Sequence, residues 1–163
     1  NRSPQEIKQL FELINNTYKQ FKDTAIDQNI KIIHLGKKSR LPKHTINIVN
    51  DVVESTKMNN GLTLNIALNY GGRSEILDAF IKLKKSKLNI SEKNFYKFLY
   101  NPKLPDPEII IRTGGDLRLS NFLLWQSAYS EFFFTKTLWP NFNYIQLKKI
   151  INNFNKRKRN FGK

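Results

Sequence analysis

The segment LTLNIALNYGGRSEILDAFIKLKKSKL, residues 62–88, decides the fold class. Its beginning, residues 62–70, is a short apolar run, which predicts a buried strand that ends at Gly71 and Gly72. After the glycines the apolar side chains return at helical spacing, so we predict a helix there. A buried strand that leads at once into a helix is the unit from which α/β folds are built.

Predicted strands and helices alternate along the rest of the chain as well. Helices are predicted from Ser3-Pro4 onward and over residues 41–58, 91–100, 121–130 and 144–159, and strands over residues 30–36, 108–113 and 131–135. Strands this apolar are buried on both faces, which is typical of parallel sheets covered by helices. We therefore predict an α/β fold, with a mainly parallel central sheet flanked by helices on both faces, in a single domain of residues 1–163.

The composition excludes several classes of protein. With no cysteine, the chain has neither a disulfide scaffold nor a thiolate metal site, and its two histidines, His34 and His44, are too few for a zinc cluster. No apolar run is long enough to span a membrane, and no secretion signal is present. We expect a soluble protein that is not secreted.

The formal net charge of +15 raises the alternative of a basic nucleic-acid-binding module, because a basic surface gains affinity by releasing counterions from phosphates. Lysine, asparagine and isoleucine are over-used together, however, which indicates compositional drift at exposed positions. The aromatic residues fall at core spacing and do not alternate with basic residues on one face. A nucleic-acid partner is therefore the less favoured interpretation.

Arginine is a better guide to a ligand, because its planar guanidinium matches phosphate oxygens. The chain has only seven arginines, and three of them, Arg73, Arg112 and Arg118, lie beside glycines or at the end of an apolar strand. Ligands of parallel sheets bind beyond the carboxyl ends of the strands. We expect the backbone N–H groups of Gly71-Gly72 and Gly114-Gly115 to meet these guanidiniums there and to form an anion site.

Two more residues complete this candidate site. Ser120 precedes the predicted helix 121–130, where its hydroxyl can cap the helix or bind a phosphate oxygen. Glu131 follows that helix, and we expect it to return to the same strand-end face as a carboxylate for Mg²⁺. Singly, each residue is an ordinary cap or surface acid, but together with the arginines they predict a bound diphosphate. No catalytic triad order or GxxxxGK loop is present, which disfavours nucleophilic hydrolysis.

Two long blocks resemble the cis-prenyltransferases, the family of undecaprenyl diphosphate synthase and dehydrodolichyl diphosphate synthase. They are IIIRTGGDLRLSNFLLWQSAYSEFFFTKTLWPNF, residues 109–142, and GLTLNIALNYGGRSEILDA, residues 61–79. The resemblance extends to NRSPQEI at the start and NNFNKRKRNFGK at the end. It implies condensation of isopentenyl diphosphate onto an allylic diphosphate, such as farnesyl diphosphate, with Mg²⁺ as cofactor, to give a long-chain polyprenyl diphosphate.

The resemblance also implies roles for individual residues. Arg112, Arg118 and Ser120, with the Leu119 backbone beside them, would bind isopentenyl diphosphate, and Arg2 would reach the substrate loop. No residue of this chain is assigned as catalytic, because the family's essential aspartate lies in an N-terminal segment with an Asp-Gly-Asn-Gly-Arg loop. We expect that segment to be missing here, so that residues 1–163 are the C-terminal portion of a catalytic domain.

Other residues are expected in supporting roles. Glu131 would help to bind Mg²⁺, and Arg73 would be a supporting or structural arginine. Arg159 and Gly162 could reach the site of a partner subunit, since the family forms homodimers or heteromers with a related subunit. The growing hydrocarbon needs an apolar tunnel, for which we expect walls from the strand LTLNIAL, residues 62–68, and from the helix that bears Leu10, Phe11 and Ile14.

The expected location is the cytoplasm or the surface of a membrane, such as that of the endoplasmic reticulum or a plastid-type organelle, with membrane contact through the lipid product. One alternative within the same family is a non-catalytic partner subunit of a two-chain prenyltransferase. Loss of the arginine and serine set would mark such a subunit, and this chain keeps that set at Arg112, Arg118 and Ser120.

Overall fold

The computed structural model of the chain describes residues 3–157. The helices in this range are α1 Pro4–Asp27, α2 Lys43–Ser55, α3 Gly72–Lys85, α4 Glu92–Tyr96 and α5 Tyr144–Lys156, and a 3₁₀ turn covers Trp139–Asn141. The strands are β1 Lys31–Leu35, β2 Thr63–Ala67, β3 Ile109–Arg112 and β4 Glu131–Phe134. The chain divides into two compact units, Asn1–Tyr70 and Gly71–Lys163.

In the first unit, helices α1 and α2 pack on a parallel pair of strands. Helix α1 begins with a capping box, in which Ser3 and Glu6 each accept a hydrogen bond from the other's backbone N–H. Strand β1 pairs with β2 from Lys31 opposite Thr63 to Leu35 opposite Ala67. The core between them is apolar; its buried members are Tyr18, Ala25, Ile30, Ile32, Ile48, Val49 and Val52.

Thr56 ties the end of α2 to β1. Its hydroxyl is fully buried, donates to the Val52 carbonyl at 2.9 Å and accepts from the Ile32 N–H at 3.1 Å. A buried hydroxyl is stable only when its hydrogen bonds are made, so this pair of bonds fixes α2 against the strand.

The second unit contains the other parallel pair, with Ile109 opposite Glu131 and Arg112 opposite Phe134. Its core forms where α3 meets α4, around Ala79, Leu83, Phe95 and Leu99. Trp125, from the segment before β4, adds its ring to this core at 4.4 Å from the ring of Phe95. Aromatic pairs at this separation stabilise a core beyond the area that they bury.

The predicted α/β fold with parallel strands is confirmed. The hydrogen-bonded ladders within residues 3–157 join the four strands in two parallel pairs, one in each unit. The organisation of residues 1–163 as a single domain stays a prediction. No helix in the described part of the chain is both long and apolar enough to cross a membrane.

The helix predicted over residues 121–130 is wrong, because the structure has a series of turns there. The backbone enters the left-handed region at Ser120, Asn121 and Leu123, with φ of 48°, 67° and 44°. A right-handed helix cannot pass through such residues. The segment instead follows contacts with α3 and α4, which override the helical spacing of its apolar side chains. Ser120 therefore caps no helix.

Candidate functional site

The loop after β3 turns at Gly114 and Gly115, whose φ angles of 91° and 86° favour glycine. The Gly114 N–H donates to the Thr137 carbonyl and the Gly115 N–H to the Thr135 carbonyl, both at 2.9 Å. The expectation that these N–H groups bind an anion is therefore wrong. They fasten the loop to the segment that follows β4.

Arg112, at the end of β3, organises the rest of this loop. Its Nη1 donates to the Arg118 carbonyl at 2.5 Å and to the Ser120 hydroxyl at 2.8 Å, and its Nη2 donates to Asp116 Oδ2 at 3.1 Å. Arg118 reaches the same Asp116 oxygen with Nη2 at 2.6 Å. We call Arg112, Asp116, Arg118 and Ser120 the arginine rim. One carboxylate thus keeps two guanidiniums close together despite their like charge.

The arginine rim borders a cavity of about 240 Å³. Its lining combines the rim's Arg112, Arg118 and Ser120 with apolar side chains; these are Ile110, Ile111, Leu119, Phe122 and Phe134. The Arg112 side chain is 26% exposed and the Arg118 side chain 64% exposed, so Arg118 is the one that meets solvent. Among residues 3–157 no hydrogen bond uses the backbone N–H of Leu119 or Ser120. Two arginines, a hydroxyl and these N–H groups are suitable partners for phosphate oxygens.

The expectation that Gly71 and Gly72 offer N–H groups to an anion is wrong for Gly72, whose N–H is already hydrogen-bonded. The Gly72 N–H donates to the Asn121 carbonyl at 2.7 Å, and the Arg73 N–H donates to Asn121 Oδ1 at 2.9 Å. The Arg73 residue itself is exposed. Its supporting role stays a prediction.

Glu131 does not return to the strand end where Arg112 lies. In the β3–β4 register it stands opposite Ile109, at the amino end of the pair, about 10 Å along the strands from the Arg112 position. Its carboxylate pairs with Arg157, whose guanidinium lies 4.4 Å from the centre of the Phe133 ring. The described residues contain no group of three or more histidine, aspartate or glutamate side chains suited to a metal ion.

The first unit contains a second cavity, of about 390 Å³, which is almost wholly apolar. Helix α1 contributes Leu13, Ile14, Thr17, Tyr18 and Phe21 to its walls, and the strands contribute Ile32, Leu64 and Ile66. Ile14 and strand β2 therefore line an apolar cavity, as expected for tunnel walls, whereas Leu10 and Phe11 are not among its lining residues. Burial raises the pKa of the Tyr18 phenol to about 12.

Three candidate residues, Arg2, Arg159 and Gly162, lie outside the described residues. Two residues at the site were missed by the sequence reasoning. Asp116 could have been found from its position between two arginines in RTGGDLR, because a carboxylate there can bind both. Asn121 offered a weaker signal, as an asparagine directly after a site residue, where left-handed backbone is tolerated.

The chain is similar in sequence to one protein family and to individual members of it. The family model of undecaprenyl diphosphate synthase matches residues 1–162. An isoprenyl transferase of Fusobacterium nucleatum is 42% identical over 163 aligned positions, in an alignment that covers 99% of this chain and 70% of that protein. A tritrans,polycis-undecaprenyl-diphosphate synthase (geranylgeranyl-diphosphate specific) of Thermoplasma acidophilum is 42% identical over 171 aligned positions, in an alignment that covers 99% of this chain and 66% of the relative.

Among solved structures, a probable undecaprenyl diphosphate synthase from Campylobacter jejuni superposes with a TM-score of 0.93 at 35% identity. The match covers 99% of this chain and 77% of that structure. Sequence and fold thus agree over nearly the whole of the chain.

Proposed function

This chain belongs to the undecaprenyl diphosphate synthase family of prenyltransferases, and we propose that its arginine rim binds the diphosphate of isopentenyl diphosphate. The chain is accordingly an enzyme that transfers prenyl groups, and the family's reaction is cis-prenyl chain elongation. Within that reaction, the proposal assigns the diphosphate of one substrate to the arginine rim and the growing hydrocarbon to the apolar cavity of the first unit.

The observation that carries the proposal is the convergence of Arg112, Arg118 and Ser120 on one cavity at the end of β3. Both guanidiniums already bind a carboxylate oxygen of Asp116, an anionic oxygen like those of a diphosphate. Arg118 is the more exposed of the two and can turn from Asp116 toward a ligand, whereas Arg112 is also bonded to the Arg118 carbonyl and the Ser120 hydroxyl. A diphosphate would thus meet one rigid and one adjustable guanidinium.

The role proposed for the arginine rim is to bind and orient the substrate. In the condensation, the allylic C–O bond breaks, its diphosphate leaves, the double bond of isopentenyl diphosphate attacks the allylic carbon, and loss of a proton from the carbon beside the resulting cation forms the new double bond. A nucleophile fixed at its diphosphate end presents that double bond in one orientation, and such positioning lowers the entropic part of the barrier. Ile110, Ile111 and Phe134 in the same cavity offer apolar contacts for the five-carbon group.

The apolar cavity of the first unit supports a second part of the proposal, a place for the growing hydrocarbon. Each added isoprene unit brings five carbons that gain free energy by leaving water. The cavity's walls are supplied by α1, β1 and β2, and its lining exposes almost no polar surface. The length of the polyprenyl product would depend on how much chain these walls accept.

Mg²⁺ as cofactor is implied by the family resemblance, but the described residues do not by themselves fit it. Mg²⁺ prefers an octahedral shell of hard oxygens, commonly one or two carboxylates with substrate phosphates. At the arginine rim the carboxylate is Asp116, which is bound by both arginines, and Glu131 is paired with Arg157. Binding of Mg²⁺ by Glu131 stays a prediction.

A homodimer, or a heteromer with a related subunit, is part of the proposal. It is supported by exposed apolar side chains around the start of α5, namely Leu138, Trp139, Tyr144 and Ile145, which are 61–76% exposed. Exposed apolar clusters of this kind mark interaction surfaces. Analytical ultracentrifugation of wild type and of Ile145→Lys tests this: a shift toward monomer in the variant supports an interface there.

The allylic diphosphate partner and a location in the cytoplasm or on a membrane surface are proposed from the same family membership. Calorimetric titration of isopentenyl diphosphate into wild-type protein and into arginine-rim variants is the experiment that tests the central proposal.

A further inference from the structure

Helix α3 lacks a cap of its own at its amino end. The N-cap residue Gly71 has no side chain to accept the first N–H groups of the helix. Asn121 performs this task from about fifty residues further along the chain: its carbonyl accepts from Gly72 at 2.7 Å, and its Oδ1 accepts from Arg73 at 2.9 Å. The arrangement reproduces a normal N-cap with an asparagine from another segment.

The glycine pair makes this close approach possible. A Cβ atom on Gly71 would lie 2.8 Å from Asn121 Nδ2, and one on Gly72 would lie 2.8 Å from Leu124 Cγ. A side chain at position 71 would displace the Asn121 amide group, and one at position 72 would also crowd the Leu124 backbone nitrogen, at 3.1 Å. The two glycines are therefore needed for packing of α3 against this segment.

Asn121, which caps α3, directly follows Ser120 of the arginine rim along the chain. Asn121 has φ of 67° and Ser120 has φ of 48°, and asparagine tolerates the left-handed region better than most residues. This left-handed turn directs the Ser120 hydroxyl toward Arg112 Nη1 at 2.8 Å. The cap therefore fixes the backbone on which a rim residue depends.

A second contact anchors the far end of the same segment. Glu75, in the first turn of α3, is 2% exposed, and its Oε2 accepts from Gln126 Nε2 at 3.1 Å. Its Oε1 accepts from the Tyr100 N–H at 2.8 Å. The first turn of α3 thus binds both Asn121 and Gln126, so the residues between them have little freedom to shift.

We propose that Asn121 is a positioning residue for the diphosphate site, acting through its cap on α3 to hold Ser120 in register with Arg112. This inference rests on the proposed function of the arginine rim. Asn121 itself is assigned no contact with substrate.

The test uses calorimetric titration of isopentenyl diphosphate into Asn121→Ala, Ser120→Ala and the double variant. Asn121→Ala removes the Oδ1 acceptor and places alanine at a positive φ, so we expect affinity to fall about twofold to tenfold, no more than in Ser120→Ala. If Asn121 acts through Ser120, adding Asn121→Ala to Ser120→Ala produces little further loss. Additive losses would overturn the inference, because distant, independent sites add.

Two further variants keep the test decisive. Asn121→Gly removes the acceptor but accepts the left-handed backbone without strain, so it should fold even where alanine does not, and lose less affinity. Asn143→Ala removes the equivalent cap of α5, where the Asn143 side chain accepts from the Gln146 N–H. We expect Asn143→Ala to lower Tm but to leave the affinity unchanged. An unchanged Kd in both Asn121 variants would overturn the inference.

Titration of Arg118→Ala separates this inference from the proposal on which it rests. If Arg118→Ala weakens binding and the Asn121 variants do not, only the positioning role fails. If the arginine variant also binds as tightly as wild type, the assignment of the arginine rim itself fails.

Discussion

The Ser120 hydroxyl lies 2.8 Å from Arg112 Nη1 although eight residues separate the two along the chain. The contact closes the loop that carries Asp116 and Arg118, so that Arg112, Arg118 and Ser120 line one cavity while Asp116 bonds to both guanidiniums. Arg112 extends from a strand end, whereas Ser120 depends on a left-handed turn. The site therefore combines one rigidly placed residue with one whose position depends on neighbouring packing.

Ser120→Ala should weaken binding of isopentenyl diphosphate by about 0.5 to 1.5 kcal/mol, the usual net contribution of one hydrogen bond. The loss is expected to be smaller than for either arginine, because a neutral hydroxyl makes a weaker bond to phosphate than a guanidinium does. Calorimetry measures it directly. A loss equal to that of the arginine variants would indicate a larger role for the hydroxyl than the one proposed.

Leu13→Trp should shorten the polyprenyl product without changing affinity for isopentenyl diphosphate. Leu13 lines the apolar cavity but is 64% exposed, so a larger side chain there narrows the cavity with little strain in the core. Ile26→Trp is the matched control, since Ile26 lies on the same helix, is 44% exposed and is not among the lining residues. Chromatography of the polyprenyl products measures their length for wild type and both variants. We expect a shorter product only for Leu13→Trp; the same product length in both variants would contradict the tunnel proposal.

Glu131→Gln and Arg157→Ala should each lower the free energy of unfolding by about 1 kcal/mol or less, since the pair is partly exposed. The double variant should lose less than the sum, because both changes break the same ion pair. Chemical denaturation of wild type, the two single variants and the double variant measures these losses. A shift in the Mg²⁺ dependence of the initial rate in Glu131→Gln, at unchanged stability, would show instead that the carboxylate is a metal ligand.

Protonation of His34 at acidic pH should lower the stability of the folded protein. Burial is the main cause that lowers the pKa of this imidazole, with the nearby charge of Lys38 adding to it and a hydrogen bond with the Leu68 carbonyl opposing it. The unfolded chain therefore binds a proton more readily than the folded one, so stability is lost as the pH falls through the ordinary histidine range. Tm measured from pH 7.5 to 5 should fall less steeply in His34→Gln. Parallel curves for the two proteins would exclude this contribution.

The periodicity of apolar residues was sufficient to predict the strands and most helices. A helix that buries one face has apolar residues at helical spacing, and a buried strand is a short apolar run. It failed over residues 121–130, where Asn121, Trp125 and Gln126 each contact α3 or α4. Those contacts require a turning backbone, and they join residues 30 to 51 positions apart. No local pattern contains that information.

Part of the arginine rim was predictable from the sequence, because some of its residues follow directly from where a strand ends. Arg112 and Arg118 were identified from their position at a strand end, and the structure brings them together with Ser120. The use of the glycine N–H groups was not predictable, because it depends on which carbonyls of other segments come near. The separation of Glu131 from Arg112 depends on the register of β3 and β4, which tertiary packing sets.

Calorimetric titration of isopentenyl diphosphate into wild type, Arg112→Ala, Arg118→Ala and Lys84→Ala tests the central claim most directly. Lys84→Ala is the matched control, since it removes one positive charge from the exposed part of α3, away from the arginine rim. We predict that each arginine variant loses about 1 to 3 kcal/mol of binding free energy while its Tm stays near that of wild type, and that the lysine variant binds as wild type does. Unchanged affinity in both folded arginine variants, or an equal loss in all three, would contradict the assignment of this rim as the diphosphate site.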